Sequence, residues 1–216
     1  MKGIQFSGGM DSTIMAYELF ATTEDEYIIY TLENGYWPPF WSPYNVHFII
    51  NKWFNQYKDR IIKHVPVISF ASLKDLGEAE YRLWAKFMHD HKLTDLFCGT
   101  TKVYSECVDH SLNYPSGRWN LDQMKFGNCV IHQPYYNLHR HDIVNKYLEY
   151  DVLEMLFDTQ SCAKIASDGV PCNKISCEQC SDRYEGLKRA FTNTKYEYII
   201  EQDRNRKLED VEWTKC

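Results

Sequence analysis

The chain has 216 residues, enough for one domain or a core domain with a small appendage. A hydrophobic share of 44% and a charged share of 25% are those of a globular protein and exclude a disordered or fibrous chain. With 24 basic and 30 acidic residues the net charge is −6, which argues against strong nucleic-acid binding over a broad surface and leaves room only for a local basic pocket.

No apolar run approaches the roughly 20 residues that span a bilayer, and Met1-Lys2-Gly3-Ile4-Gln5-Phe6 turns polar too soon for a signal peptide. The expected location is therefore cytoplasmic, with no membrane partner. In a reducing compartment, clustered cysteines are metal ligands or reactive thiols more often than disulfides.

In chain order, Gly3 to Phe6 reads as a short buried strand running into Ser7-Gly8-Gly9-Met10-Asp11-Ser12, and Thr13 to Phe20 has helical spacing. Tyr27 to Leu32 is a second strand by its β-branched and aromatic run. Asn34 to Tyr44 reads as a loop, because Pro38, Pro39 and Pro43 oppose regular structure. Helical periodicity resumes over Val46 to Tyr57, Val65 to Phe70 is a third strand, and Leu76 to His91 is a helix. Asp95 to Cys98 leads a fourth strand into Gly99-Thr100-Thr101. Ser105 to Asn128 is irregular, Val130 to Tyr136 is a short segment, and a helix lies within His141 to Met155. Ser161 to Cys180 reads as a cysteine-bearing loop, and Asp182 to Phe191 as a basic amphipathic helix.

Strands alternating with helices predict a Rossmann-like α/β fold, a mostly parallel sheet with helices on both faces. Ligands of such sheets bind at the carboxyl ends of the strands. The expected division is a nucleotide-binding α/β domain over residues 1–157 and a small C-terminal cysteine-rich subdomain over 158–216.

The hexapeptide Ser7 to Ser12 lies between a strand and a helix, where glycines let the backbone approach a ligand and helix-start amides favour phosphate oxygens. It lacks the Gly-Lys-Ser/Thr of a Walker A loop and the spacing of the dinucleotide turn. Its simpler reading is an ordinary strand-to-helix turn with Asp11 or Ser12 as the cap. The full pattern resembles the pyrophosphate loop of the PP-loop ATPases, S-G-G-x-D-S. That resemblance implies ATP contacts at Phe6, Ser7, Gly8, Gly9, Met10, Asp11, Ser12, Thr13 and Gly99, with Asp11 toward Mg2+ or its waters.

Cys162, Cys172, Cys177 and Cys180 are spaced Cys-x9-Cys-x4-Cys-x2-Cys. Four thiolates in a short loop suit closed, tetrahedral, structural Zn2+. An iron–sulfur cluster could use the same donors, the Cys177–Cys180 pair alone could be a redox couple, and all four could be inert thiols. Cys98, Cys107, Cys129 and Cys216 show no such spacing.

The two motifs together resemble the 7-cyano-7-deazaguanine synthase family of queuosine and 7-deazaguanine biosynthesis. Three other stretches also resemble that family: Gln133-Pro134-Tyr135 with Asn137 to Val144, Thr159-Gln160-Ser161-Cys162, and Ser181-Asp182-Arg183 with Gly186 to Phe191. The chain differs in having Asn34-Gly35-Tyr36-Trp37 after the second strand, Gly99 to Tyr104 at the fourth, Arg140 in place of a helix lysine, and a longer gap before Cys177. The first two differences fall on the substrate side of the pocket.

The resemblance implies a homodimeric, ATP-dependent carbon–nitrogen ligase. Its small-molecule substrates would be 7-carboxy-7-deazaguanine and ammonia, and its product a nitrile reached through adenylated intermediates. Two other readings stay open: a diverged PP-loop enzyme adenylating another carboxylate, a tRNA base or a protein terminus, and a non-catalytic zinc-knuckle binding module. Tyr36, Trp37, Phe40, Trp41 and Tyr44 suit packing or base stacking. Lys102, Arg118 and Lys125 are candidate phosphate or carboxylate partners that each equally suit a solvated face, His132, His139 and His141 stay undecided between such roles, and no residue is assigned to catalysis.

Overall fold

Successive side chains of a strand point to opposite faces, and the run Tyr27 to Thr31 is buried throughout, so both faces of the sheet are covered. A computed structural model describes residues 1–34, 41–69, 76–102, 123–160 and 178–205. Its strands are β1 (Lys2–Gln5), β2 (Tyr27–Asn34), β3 (Ile61–Ser69), β4 (Asp95–Cys98), β5 (Gln123–Phe126) and β6 (Cys129–His132). They form one sheet in the order β3-β2-β1-β4-β6-β5. All neighbours are parallel except the β5–β6 hairpin.

The helices are α1 (Met10–Thr22), α2 (Trp41–Trp53), α3 (Leu76–Asp90), α4 (Arg140–Glu149), α5 (Met155–Asp158), α6 (Glu178–Phe191) and α7 (Tyr198–Arg204). On one face Ile4, Phe6 and Ile29 pack with Ile14 of α1, Ile49 of α2, Val144 of α4, Leu187 of α6 and Ile199 of α7. On the other, Ile28, Tyr30, Leu96 and Ile131 pack with Trp84, Phe87 and Met88 of α3. The layering follows from strand order. Passing from β1 to β2 to β3 moves one way across the sheet, and the return to β4 reverses direction. Crossovers of one hand therefore put α1 and α2 on one face and α3 on the other. The mostly parallel sheet covered on both faces agrees with the sequence expectation.

Several boundaries differ from the sequence reading. Helix α2 starts at Trp41, inside the expected loop, so Pro43 lies in its first turn, where a missing N–H breaks no helical bond. The expected helix to Tyr57 gives way to a 3-10 turn over Asn55–Arg60, and β3 begins at Ile61, earlier than expected. Strand β5 lies in the stretch read as irregular; its pairing with β6 supplies the order that its own sequence does not signal. Helix α6 begins at Glu178, so Cys180 sits in a first helical turn rather than in a loop. The expected sites at Cys162, Cys172 and Cys177 lie outside the described residues, as do most of the expected 105–128 loop and the aromatic residues Tyr36, Trp37 and Phe40. Among the described residues no helix is long and apolar enough to cross a membrane.

Candidate active site

The strand order reverses between β1 and β4, and the loops leaving their carboxyl ends meet there. This is the crevice in which open α/β sheets hold ligands. One wall is Ser7 to Ser12 and the other is Gly99 to Thr101. Gly99 is required at their contact. A Cβ on it would lie 2.8 Å from the Ser12 backbone nitrogen and 2.9 Å from the Asp11 carbonyl carbon, atoms that cannot swing away.

Gly8 adopts φ 73°, a region that side-chain-bearing residues rarely enter, and turns the chain from β1 into α1. Its carbonyl is held from two sides, by the Gln160 N–H at 2.9 Å and by Asn45 Nδ2 at 3.1 Å. Gly9 is the N-cap of α1 and supplies no side-chain cap, which overturns the reading of this turn as a helix cap by Asp11 or Ser12. Ser12 instead braces the loop: its Oγ accepts from the Ser7 N–H at 3.2 Å and donates to the Gly9 carbonyl at 3.2 Å. The first-turn amides of α1 therefore stay available, with the helix dipole behind them, where an anion would sit.

Asp11 faces inward and is 9% exposed. Its Oδ2 accepts from Thr101 Oγ1 at 3.1 Å and is ion-paired with Arg140 Nη1. Its Oδ1 is buried and has no hydrogen-bond partner among the described residues. Arg140, in the first turn of α4, reaches back through Nε to Asp182 of α6. Two carboxylates against one guanidinium leave this trio with a formal charge of −1. Burial pulls the Arg140 pKa below the usual arginine value against the opposing pull of Asp182.

Helix α4 is started by a capping box in which the Asp142 carboxylate accepts from the His139 N–H at 2.9 Å. The Lys102 N–H donates to the Leu138 carbonyl at 2.8 Å, which ties the end of β4 to the entrance of α4. Tyr147, one side of α4 below Arg140, donates its hydroxyl to the Met10 carbonyl at 2.7 Å. Burial raises the Tyr147 pKa, so the phenol stays a neutral donor.

Arg183, next to Asp182, is the second buried arginine of this region. It makes a two-pronged pair with Asp203 at 2.7 and 2.9 Å. It also donates to Thr159 Oγ1 at 2.8 Å and to the Leu156 carbonyl at 3.0 Å.

Among the expected contact residues, Ser7 to Ser12 and Gly99 do come together. Phe6 and Thr13 are 0% exposed and Met10 is 1% exposed, so each of these presents only backbone to the crevice. The Phe6 ring instead stacks on Phe54 at 5.7 Å. Cys180 is half-buried in α6, two residues before Asp182. Among the described residues no group of His, Cys, Asp and Glu is arranged as a metal site. Sequence reasoning gave no site role to Asn45, Tyr147 or Asp182. Arg140 and Asp182 carried a signal only as members of stretches singled out by resemblance.

The strand order, the loop at the reversal point and the helix layers define an open α/β fold with a mostly parallel sheet covered on both faces. The solved structure of the U34-tRNA thiolase NcsA from Methanococcus maripaludis, with its 4Fe-4S cluster, is similar to this chain at a TM-score of 0.52 and 15% identity. The match covers 97% of this chain and 72% of that one. No protein-family model matches the chain, and no curated protein matches it in sequence.

Proposed function

We propose that this chain is an enzyme that cleaves ATP between its α and β phosphates and transfers AMP to an oxygen of a small-molecule carboxylate, 7-carboxy-7-deazaguanine. The observation that carries the reading is Asp11 with its unpartnered buried oxygen, set beside a glycine turn and an uncapped helix start at the sheet's reversal point. The residues present fit Mg2+ and a polyphosphate. Oδ1 of Asp11 is the hard oxygen donor that Mg2+ prefers. A divalent cation would also turn the trio's formal charge from −1 to +1, which an anionic ligand requires.

In this reading Gly8 and Gly9 let the backbone approach the departing pyrophosphate, and the first amides of α1 donate to its oxygens. Arg140 neutralises charge that grows on the leaving group, and Asp11 would hold Mg2+ through Oδ1, which would supply further neutralisation of the phosphates. A substrate carboxylate oxygen attacks the α phosphorus, and the bond from that phosphorus to the bridging oxygen breaks as pyrophosphate leaves. Ammonia then attacks the acyl carbon, a proton is lost, and AMP departs to leave an amide. Repeating the activation on the amide oxygen, with loss of a second AMP and of the amide protons, leaves the nitrile.

The fold neighbour favours a second reading, in which the accepting oxygen belongs to a base of tRNA, since NcsA is named a U34-tRNA thiolase. The four cysteines, Cys162, Cys172, Cys177 and Cys180, suit structural Zn2+ by their all-thiolate chemistry. The cluster of NcsA makes a 4Fe-4S centre the competing occupant. Metal analysis and visible absorption of anaerobically purified protein separate the two occupants. A Cys177→Ser variant that keeps its full metal content would remove Cys177 from the ligand set. A homodimer is part of the same proposal and is read by light scattering.

The deciding assay incubates the protein with ATP, Mg2+, ammonia and 7-carboxy-7-deazaguanine and follows AMP, pyrophosphate and nitrile. Nitrile with two AMP per turnover supports the ligase. AMP formed only with tRNA moves the assignment to the second reading. No AMP with either acceptor from folded protein rejects the enzyme.

A further inference from the structure

Gly8 and Gly9 let the loop approach a ligand closely, and they also leave it free to move. A peptide plane between two glycines meets no Cβ on either side, so little in the turn itself stops it from turning over. Turned over, it would present a carbonyl to an anion instead of an N–H. An anion site built on this turn therefore needs a clamp from outside it.

Asn45 of α2 supplies that clamp. It is 1% exposed, and its Nδ2 donates to the Gly8 carbonyl at 3.1 Å. The Gln160 N–H donates to the same oxygen at 2.9 Å, which fills both of its acceptor positions. The fit is close, since a Cβ on Gly8 would fall 2.6 Å from Asn45 Nδ2. Stability gives no reason for an asparagine here. Its Oδ1 is buried and has no hydrogen-bond partner among the described residues, which costs the fold free energy. An apolar residue in its place would still leave the Gly8 carbonyl bonded to Gln160.

The geometry of the peptide accounts for it. In a planar trans peptide the C=O and the N–H point in opposite directions. Holding the Gly8 carbonyl toward Asn45 and Gln160 therefore turns the Gly9 N–H the other way. There it meets Ser7 Oγ at 3.3 Å, a long contact on the exposed side of the turn. Ser7 Oγ lies 3.1 Å from Ser12 Oγ, and the Ser12 backbone is the part of the loop that closes on Gly99. The aimed amide thus stands on the crevice side, beside the first amides of α1.

We infer that Asn45 is a positioning residue, which holds the Gly8–Gly9 peptide so that the Gly9 N–H meets an oxygen of the pyrophosphate portion of the nucleotide. This rests on the nucleotide reading above. Asn45 touches no nucleotide itself; it acts through the Gly8 carbonyl. When pyrophosphate arrives, the Gly9 N–H exchanges its long Ser7 contact for a phosphate oxygen, while the carbonyl stays on Asn45 and Gln160.

The test compares two ligands, because only one of them uses the clamped amide. Inorganic pyrophosphate with Mg2+, and separately AMP, are titrated by calorimetry into wild-type protein and into an Asn45→Leu variant, with urea unfolding measured alongside. Leucine branches at the same carbon as the amide but has no donor. Pyrophosphate affinity is expected to fall about fivefold, the bias that one hydrogen bond gives to a two-state peptide. AMP is expected to bind as it does to wild type. An equal loss for both ligands overturns the inference in favour of a general packing role. Lower stability with unchanged pyrophosphate affinity overturns it in favour of a structural one.

If leucine is too bulky for the site to fold, Asn45→Ala is titrated in the same way. Gln160→Pro is an independent arm, since it removes the other donor to the same carbonyl. Thr159 before it already has φ −84° and ψ 145°, the extended backbone that a following proline requires. The same selective loss is expected, and wild-type pyrophosphate affinity in this variant would overturn the inference. Wild-type protein that binds neither pyrophosphate nor ATP would reject the nucleotide reading itself, a result distinct from all of these.

Discussion

Arg140 and Arg183 lie close together on facing helices, both largely buried and both paired to carboxylates, yet they are built differently. Arg183 is closed. One carboxylate meets it with two prongs at Nε and Nη2, the Thr159 hydroxyl takes Nη1 and the Leu156 carbonyl takes Nη2 as well, and together they lock α6 to α7 and to α5 with the residue that follows it. Arg140 is shared. Its Nε and Nη1 go to different carboxylates on different helices, and one of these carboxylates keeps a buried oxygen unused. A saturated buried arginine serves the fold, because none of its bonds can be exchanged without orphaning a charge. An arginine divided between two acceptors can release one of them, so the difference separates a strut from a group available to a ligand.

The largest expected effect tests the strut. Arg183→Met leaves Asp203 buried without its partner and should cost about 3–5 kcal/mol in urea unfolding, with nucleotide affinity of the folded fraction unchanged. Replacing both partners, Arg183→Met with Asp203→Leu, should recover most of that loss, since no orphan charge remains. An Arg183 variant that lost nucleotide affinity but not stability would erase the distinction between the two arginines.

Next comes Gly99→Ala. Its Cβ would press on the Asp11 and Ser12 backbone. We expect a cost of about 1–3 kcal/mol in stability, as for overpacking elsewhere, together with weaker ATP binding because the wall carrying Asp11 must shift. Unfolding and calorimetry read the two effects separately. Stability loss without any change in binding would place the crevice elsewhere.

Smaller still is Tyr147→Phe, which strips the Met10 carbonyl of its 2.7 Å bond at the start of α1. The expected loss is about 1 kcal/mol. Because Tyr147 braces the Arg140 side and not the Arg183 pair, this substitution should affect nucleotide binding more than Thr159→Ala does, measured on the same titration.

The smallest effect is a pH control away from both arginines. Burial, with His47 adding to it, lowers the His64 pKa from 6.5 to about 4, and its Nε2 lies 2.9 Å from Thr31 Oγ1. The unfolded chain therefore takes up a proton before the folded one does. This group's contribution to stability falls as pH drops from 6.5 to about 4 and falls no further below that. His64→Gln should flatten that part of the curve of unfolding temperature against pH, while the nucleotide titration at neutral pH stays as it was. A curve unchanged by the substitution would assign the acid sensitivity to other groups.

Strand and helix identity was largely legible because it is a local property. The alternation Tyr27-Ile28-Ile29-Tyr30 does divide between the two faces of the sheet, and the hexapeptide after β1 does lie where a strand turns into a helix. Boundaries were legible only where local chemistry decides them. Pro43 misled because a first helical turn tolerates proline, and β5 was invisible because its partner strand, rather than its own pattern, orders it.

By itself the sequence determined that the chain alternates strand and helix, that a glycine turn opens the first helix, and that four cysteines share a metal-like spacing. It also carried the charge of −6 that disfavours a broad grip on nucleic acid. Only the tertiary structure decided that Gly99 closes on Ser12, that Gln160 bonds Gly8, and that Asp11, Arg140 and Asp182 form one chain of charge. The reason is separation. These contacts join residues on different elements whose meeting depends on the order of strands in the sheet, and no periodicity along a single segment encodes that order.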